Sequence, residues 1–115
     1  MMDPAPLTVI DIKQKTELIS AAYKNFPLCF MNDHVIRVSV MTRDFYWHFH
    51  PNSDQTFLVI EGDLLIDLDD ETVELHTGQL FTVPKNVSHR TRPQGKRSVN
   101  ITFERDNIDT VKVER

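Results

Sequence analysis

Apolar and polar residues follow two regimes along the chain: a short front stretch with helical spacing, then a long body that alternates with period two. From Asp11 to about Tyr23 the apolar residues Ile12, Ile19 and Tyr23, with Leu18 and Ala22 beside them, recur at helical spacing, and Pro27 stops the pattern. This predicts one short helix over about residues 11–24, packing an apolar stripe on the body or on a second subunit. After Asn32, the residues Ile36, Val38 and Val40 alternate with Arg37, Ser39 and Met41, as in a strand whose successive side chains point to opposite faces. Further strands are predicted at 44–50, 55–61, 64–69, 72–76, 80–83, 88–92 and 98–104. Turn-forming residues punctuate them at Pro51-Asn52-Ser53-Asp54, Glu61-Gly62-Asp63, Asp69-Asp70-Glu71, Thr77-Gly78 and Pro93-Gln94-Gly95. So many short, closely spaced strands predict an all-β sandwich or small barrel. The 55–61 strand is apolar on both faces, Phe57 and Val59 on one and Leu58 and Ile60 on the other. A second layer or a partner subunit is therefore expected over its outside.

Composition narrows the class. A chain of 115 residues is the length of one domain, and about two-thirds of its unfolded surface can be buried. A single domain over 1–115 with short tails is expected. Apolar residues make up 40% and charged residues 26%, the balance of a soluble globular protein. No apolar run approaches the ~20 residues that span a bilayer, so no membrane partner is expected. The start Met1-Met2-Asp3-Pro4 lacks the basic and apolar stretches of a secretory signal, which makes the cytoplasm the expected location. Cys29 is the single cysteine, so internal disulfides and cysteine-paired zinc sites are excluded, and it reads as a small buried apolar residue.

A net charge of −4 argues against nucleic acid as a partner. The charge is uneven: Glu61, Asp63, Asp67, Asp69, Asp70, Glu71 and Glu74 precede a stretch with Lys85, Arg90, Arg92, Lys96 and Arg97. Two solvated hairpins of opposite sign are the preferred reading, ahead of a site for an anionic ligand.

Three histidines carry the candidate chemistry. Alternation points His48 and His50 to one face, about 7 Å apart along the chain. The turn at 51–54 brings Gln55 back on the adjacent strand, and His89 arrives from a distant hairpin. Neutral imidazoles suit zinc, copper, nickel or iron, and three or four protein ligands leave positions open for water or substrate. Tyr46 shares parity with His48 and is expected in the pocket, whereas Trp47 faces away. Phe57 and Val59 follow Gln55 inward and predict an apolar cavity. His34 and His76 read as ordinary hydrogen-bonded or exposed residues, and Arg90 and Arg92 alternate away from His89.

At these positions the sequence resembles the cupin superfamily. Thr42 stands where the first motif has a glycine, His48 and His50 match its histidine pair, Gln55 takes the place of its glutamate, and Gly62 closes it. In the second motif Gly78, Pro84, Lys85 and His89 fit, with Asn86 in place of a glycine and Pro93 in place of a terminal asparagine. The resemblance covers about residues 35–104. The stretches around His34, His48 and Thr56 to Gly62 are similar to small single-domain bacterial cupins, a group often labelled mannose-6-phosphate isomerase-like, a label that carries no activity by itself. The resemblance implies a double-stranded β-helix (a jelly-roll barrel), a homodimer, and a divalent transition metal such as Zn, Fe, Ni or Mn on the motif residues.

The substitution at 55 changes the expected chemistry. Glutamate would cancel one charge of a divalent ion; glutamine offers a neutral carbonyl oxygen and an NH2 group that only donates. Hard ions such as manganese should lose most affinity. Gln55 can bind the metal through its carbonyl or hydrogen-bond a metal-bound water, and both readings rank ahead of metal loss because all three histidines remain. A shift of the ligand to Asp54 ranks lower, since alternation sets Asp54 with Leu58 and Ile60. The expected function is metal-dependent binding or turnover of a small organic molecule in an apolar pocket. The iron-type dioxygenase is the most concrete enzymatic form, because three-histidine cupin sites resemble those enzymes. A non-catalytic sensor or carrier is the alternative. A sugar-phosphate isomerase is less favoured, since no base other than Tyr46 is evident near the histidines.

Overall fold

The computed structural model describes residues 6–115; residues 1–5, on which the expectation about a secretory signal rests, lie outside the described residues. The element order is α1 (Ile12–Thr16), β1 (Tyr23–Met31), β2 (His34–Met41), β3 (His48–Phe49), β4 (Gln55–Glu61), β5 (Leu64–Asp67), β6 (Thr72–Leu75), β7 (Leu80–Val83), β8 (Arg90–Pro93), β9 (Ser98–Arg105) and β10 (Val111–Lys112). All ladders are antiparallel. They form a five-stranded sheet in the order β1-β2-β9-β4-β7, a three-stranded sheet β6-β5-β8, and a ribbon of β10 with β3. The sheets are separate rather than one closed hydrogen-bonded barrel. Among the described residues no helix is long and apolar enough to cross a membrane.

Two apolar clusters hold these layers. One lies between the sheets, where Met41, Phe57, Val59 and Val83 meet Leu64, Ile66 and Leu75. The other lies on the outside of the five-stranded sheet, where Val38, Val40, Val99 and Ile101 are covered by Ile10, Ile12 and Ile19. The N-terminal segment is thus the second layer expected over the strand at 55–61, since Leu58 and Ile60 also pack into this outer cluster.

The helix is shorter than the sequence predicts. Asp11 caps it by accepting from the Gln14 N–H at 3.0 Å. It ends at Thr16, whose hydroxyl bonds back to the Ile12 carbonyl at 2.9 Å and whose own carbonyl accepts from Arg97. Ile12 and Ile19 do share a destination, but Tyr23 belongs to β1 and packs on the other cluster. Strand β1 was hidden by Pro27, which usually argues against a strand. Here β1 is the sheet edge, where a missing N–H is tolerated, and a bulge follows between Pro27 and Cys29.

The predicted strand at 44–50 contracts to His48–Phe49, and β10 is an addition. Most of the charges on these two stretches are exposed, among them Asp69, Asp70, Glu71, Glu74, Lys85 and Lys96, as solvated hairpins require, but one group of opposite charges meets between β5 and β8. Asp67, only 5% exposed, accepts from Arg90 Nε at 2.7 Å and Arg92 Nε at 2.8 Å, and Arg92 above all holds its carboxyl well below the usual range. Such a buried carboxylate is stable only because it is paired.

Candidate metal centre

His48, His50 and His89 converge in one buried cluster, their nearest ligand nitrogens all within 4.8 Å of one another. Two short segments make this possible. His48 and His89 form an antiparallel bridge, N–H to carbonyl in both directions at 3.0 and 2.9 Å. Asn86 then donates its N–H to the His50 carbonyl at 2.9 Å. Asn86 adopts φ +69°, the left-handed conformation for which its side chain is suited, as its place in a glycine position requires.

Each imidazole is oriented through Nδ1. His48 Nδ1 lies 2.8 Å from the Tyr46 carbonyl, His50 Nδ1 3.0 Å from the Asp109 carbonyl, and His89 Nδ1 2.9 Å from the Val87 carbonyl. A carbonyl can only accept, so Nδ1 carries the hydrogen in all three rings and Nε2 is left with its lone pair. Burial pushes the His48 and His89 pKa values down to about 4, with repulsion from His89 adding to the effect at His48. Both rings are therefore neutral at physiological pH. His50 Nε2 is buried with no partner among the described residues.

Gln55 stands beside the three histidines. Its Oε1 lies 3.2 Å from His89 Nε2. With Nδ1 protonated these are two acceptors facing each other, which is the arrangement of neighbouring ligands on one cation. Ligands on bonds of about 2.1 Å in a tetrahedral site stand about 3.4 Å apart. Gln55 Nε2 donates to Glu104 Oε1 at 2.9 Å. Asp54, by contrast, is exposed and accepts from the Lys85 N–H at 2.9 Å, away from the cluster, as its strand parity implies.

The cluster opens into a cavity of about 270 Å³, at the small end for ligand sites. One side is aromatic, with Phe45, Tyr46 and Phe57 beside the histidines; Tyr46 sits at the rim, 41% exposed. Val59 lies one alternation further along β4, in the core between the sheets, and is not among the residues lining the cavity.

The opposite wall corrects the expectation of an apolar pocket. Asn25 from β1, Arg37 and Ser39 from β2, and Asn100, Thr102 and Glu104 from β9 all face the cavity. The alternation of β2 is as predicted and β9 forms where a strand was expected, but on both the apolar set faces outward under the N-terminal segment and the polar set faces in. Glu104, 6% exposed, is the acidic group that the sequence left unidentified. Its signal was the polar run Asn100, Thr102, Glu104 on a strand buried on both faces.

The remaining expectations fall outside this cavity. His34 and His76 are exposed and pair with Asp33 and with Asp63 and Glu74. Trp47 lies between the Arg90 and Arg115 guanidinium groups at 5.7 and 3.8 Å.

Comparison with known proteins agrees with the geometry. A family model described as Cupin domain matches residues 35–103. The uncharacterized protein YdbB of Bacillus subtilis (strain 168) is 40% identical over 97 residues, covering 84% of this chain and 85% of that protein. A cupin-2 domain containing protein from Shewanella frigidimarina NCIMB 400 has a TM-score of 0.78 at 27% identity, covering 84% of this chain and 94% of the other. Protein NMB1881 from Neisseria meningitidis has a TM-score of 0.75 at 25% identity over 86% of this chain and all (100%) of the other. Two motifs in order, a shared double-stranded β-helix and these matches establish that the chain belongs to the cupin family.

Proposed function

We propose that this protein holds a divalent transition metal ion on Nε2 of His48, His50 and His89 and on Oε1 of Gln55, and uses it to bind and turn over a small organic molecule in the adjoining cavity. The observation that carries the reading is the fixed tautomer: three backbone carbonyls take the three Nδ1 hydrogens, so three lone pairs converge beside an amide oxygen. When bound, the ion supplies Lewis acidity at positions the protein leaves open. A buried carboxylate on the cavity wall, Glu104, favours turnover over passive carriage, because it can hold a proton that Gln55 cannot. It also lifts the objection to proton-transfer chemistry, sugar-phosphate isomerisation included.

An iron-type dioxygenase is the second reading, favoured by the nitrogen-rich neutral donor set and the aromatic side formed by Phe45 and Phe57. The same reading takes the protein as a cytoplasmic homodimer, with Phe30 and Met31 exposed on edge strand β1 as the contact. Metal analysis and thermal melting with zinc, nickel, iron(II) and manganese test the centre. One bound ion per chain and a raised Tm are expected, and no uptake with no gain in Tm from any ion would overturn it. Oxygen consumption after anaerobic iron(II) loading separates the dioxygenase from the proton-transfer reading.

A further inference from the structure

We propose that Asn52 is a positioning residue for His50: its side chain clamps the segment between β9 and β10, and so keeps the Asp109 carbonyl where it holds the His50 hydrogen on Nδ1 and leaves Nε2 free to bind. This rests on the metal centre proposed above, but its first readout is taken without metal.

His50 is not oriented as the other two rings are. His48 and His89 each give the Nδ1 hydrogen to the carbonyl two residues before them, that of Tyr46 and that of Val87. The equivalent carbonyl for His50 belongs to His48, and it already accepts from the His89 N–H at 2.9 Å in the bridge that joins the two motifs. His50 turns instead to a carbonyl 59 residues along the chain, at Asp109. Local backbone thus fixes two of the tautomers, and long-range packing has to fix the third.

The segment that supplies this carbonyl has little of its own to hold it. Residues 106–110 lie in neither strand, and Asn107, Asp109 and Thr110 are exposed. Its backbone contributes a long turn bond, from the Ile108 N–H to the Arg105 carbonyl at 3.3 Å. Asn52 adds two shorter ones: Nδ2 donates to the Asn107 carbonyl at 3.0 Å, and Oδ1 accepts from the Asp109 N–H at 2.9 Å. These bonds bracket Ile108, which lines the cavity, and fix the backbone as it enters Asp109. Because Asn52 follows His50 by two residues, carbonyl and ring are tied to the same turn. Thr110 gives the clamp its consequence. Its hydroxyl oxygen stands 3.2 Å from His50 Nδ1, and a hydroxyl can donate or accept, whereas a carbonyl only accepts. With the carbonyl displaced, Thr110 can donate to a bare Nδ1 and the ring hydrogen moves to Nε2. That atom is buried with no partner among the described residues, and once it carries a hydrogen it has no lone pair for a metal.

Nitrogen-15 spectra of the metal-free protein at pH 8, with the histidine rings assigned, read the tautomers directly. The unaltered protein should carry the hydrogen on Nδ1 in all three rings. Asn52→Ala should move the His50 ring toward the Nε2–H form while His48 and His89 stay as they are, and should weaken nickel binding about tenfold or more. Ser53→Ala is the control. It removes the bond that Ser53 Oγ accepts from the Arg105 N–H at 3.0 Å, which loosens the same turn without touching residues 107–109, and it should lower Tm with the His50 tautomer unchanged. If Asn52→Ala does not fold, Asn52→Asp, which gives up only the bond to the Asn107 carbonyl, carries the same comparison. An unchanged His50 tautomer in the Asn52 variant, an equal change in Ser53→Ala, or a changed tautomer with unchanged nickel affinity each overturns the proposal. Absence of nickel uptake in the unaltered protein overturns the metal centre instead, and the metal-free spectra still decide whether Asn52 holds the ring.

Discussion

Gln55 and Glu104 meet side chain to side chain, Nε2 donating to Oε1 at 2.9 Å, and this contact decides which way the amide points. A carboxylate only accepts, so the NH2 group must face Glu104 and the carbonyl oxygen must face His89. The negative charge that the first cupin motif usually places on the metal is found one hydrogen bond further out. Replacing Gln55 by glutamate alone would set two carboxylates at hydrogen-bond distance, and such a pair cannot easily both ionise. Gln55→Glu should therefore give little of the manganese affinity that a carboxylate ligand normally brings. The exchange Gln55→Glu with Glu104→Gln should bind manganese about tenfold or more tightly than the unaltered protein. Equal manganese affinity in the single and double variants, measured by titration, would show that Glu104 does not control position 55.

Glu104 is not legible in the sequence because of which face of its strand is inward. In Ile36 to Met41 and Val99 to Glu104 the alternation is plain in the sequence, and the strands formed where it predicted. Apolar alternation ordinarily marks the core side, but here a segment from outside the barrel, Ile10 to Ile19, covers the apolar face. The polar face is then free to line a cavity. Motif spacing did locate the histidines, because parity and turn length act over a few residues. It could not locate partners from β1, β2 and β9, whose proximity depends on long-range pairing such as Val38 with Ile101 and Val59 with Asn100. The overlong helix and the unseen β1 have the same origin: local spacing of Ile12, Ile19 and Tyr23 was overridden by pairing of Tyr23 with Met41.

Acid should destabilise the metal-free protein in two stages. Burial holds His48 and His89 at pKa about 4, below the ordinary ~6.5 they regain on unfolding. The unfolded chain therefore binds more protons across that interval. Stability is fully present above about pH 6.5 and falls as pH drops toward 4, by on the order of 3 kcal/mol or more for the pair. Asp67, held below its ordinary range mainly by Arg92, adds a second loss on further acidification below about pH 4, as its carboxylate is protonated. Urea midpoints at pH 7.5, 6, 5 and 4 measure the first stage. A flat profile from 7.5 to 4 would contradict the neutral, buried state of the two rings.

The two motif glycines should differ sharply in what alanine costs. Both have positive φ, +68° at Gly62 and +86° at Gly78, so either substitution meets the left-handed penalty of about 1–2 kcal/mol. At Gly78 nothing lies within 4 Å of an added Cβ, whereas at Gly62 that atom would sit 2.1 Å from the Arg97 carbonyl oxygen. Relief by moving residue 97 is obstructed, because its side chain bonds Glu61 at 2.7 Å and the Thr16 carbonyl, and β9 begins at the next residue. Gly62 also directly follows β4, the strand that carries Gln55, just beyond the β4–β9 register shift between Val59 and Glu61. Gly78→Ala should therefore cost about 1–2 kcal/mol, and Gly62→Ala about 3 kcal/mol or more once the steric overlap is added. Gly62→Ala should also weaken metal binding, since any shift it forces passes along β4 to Gln55. Denaturant unfolding of the two variants compares the costs directly, and equal destabilisation would mean that close approach to Arg97 is not what reserves position 62 for glycine.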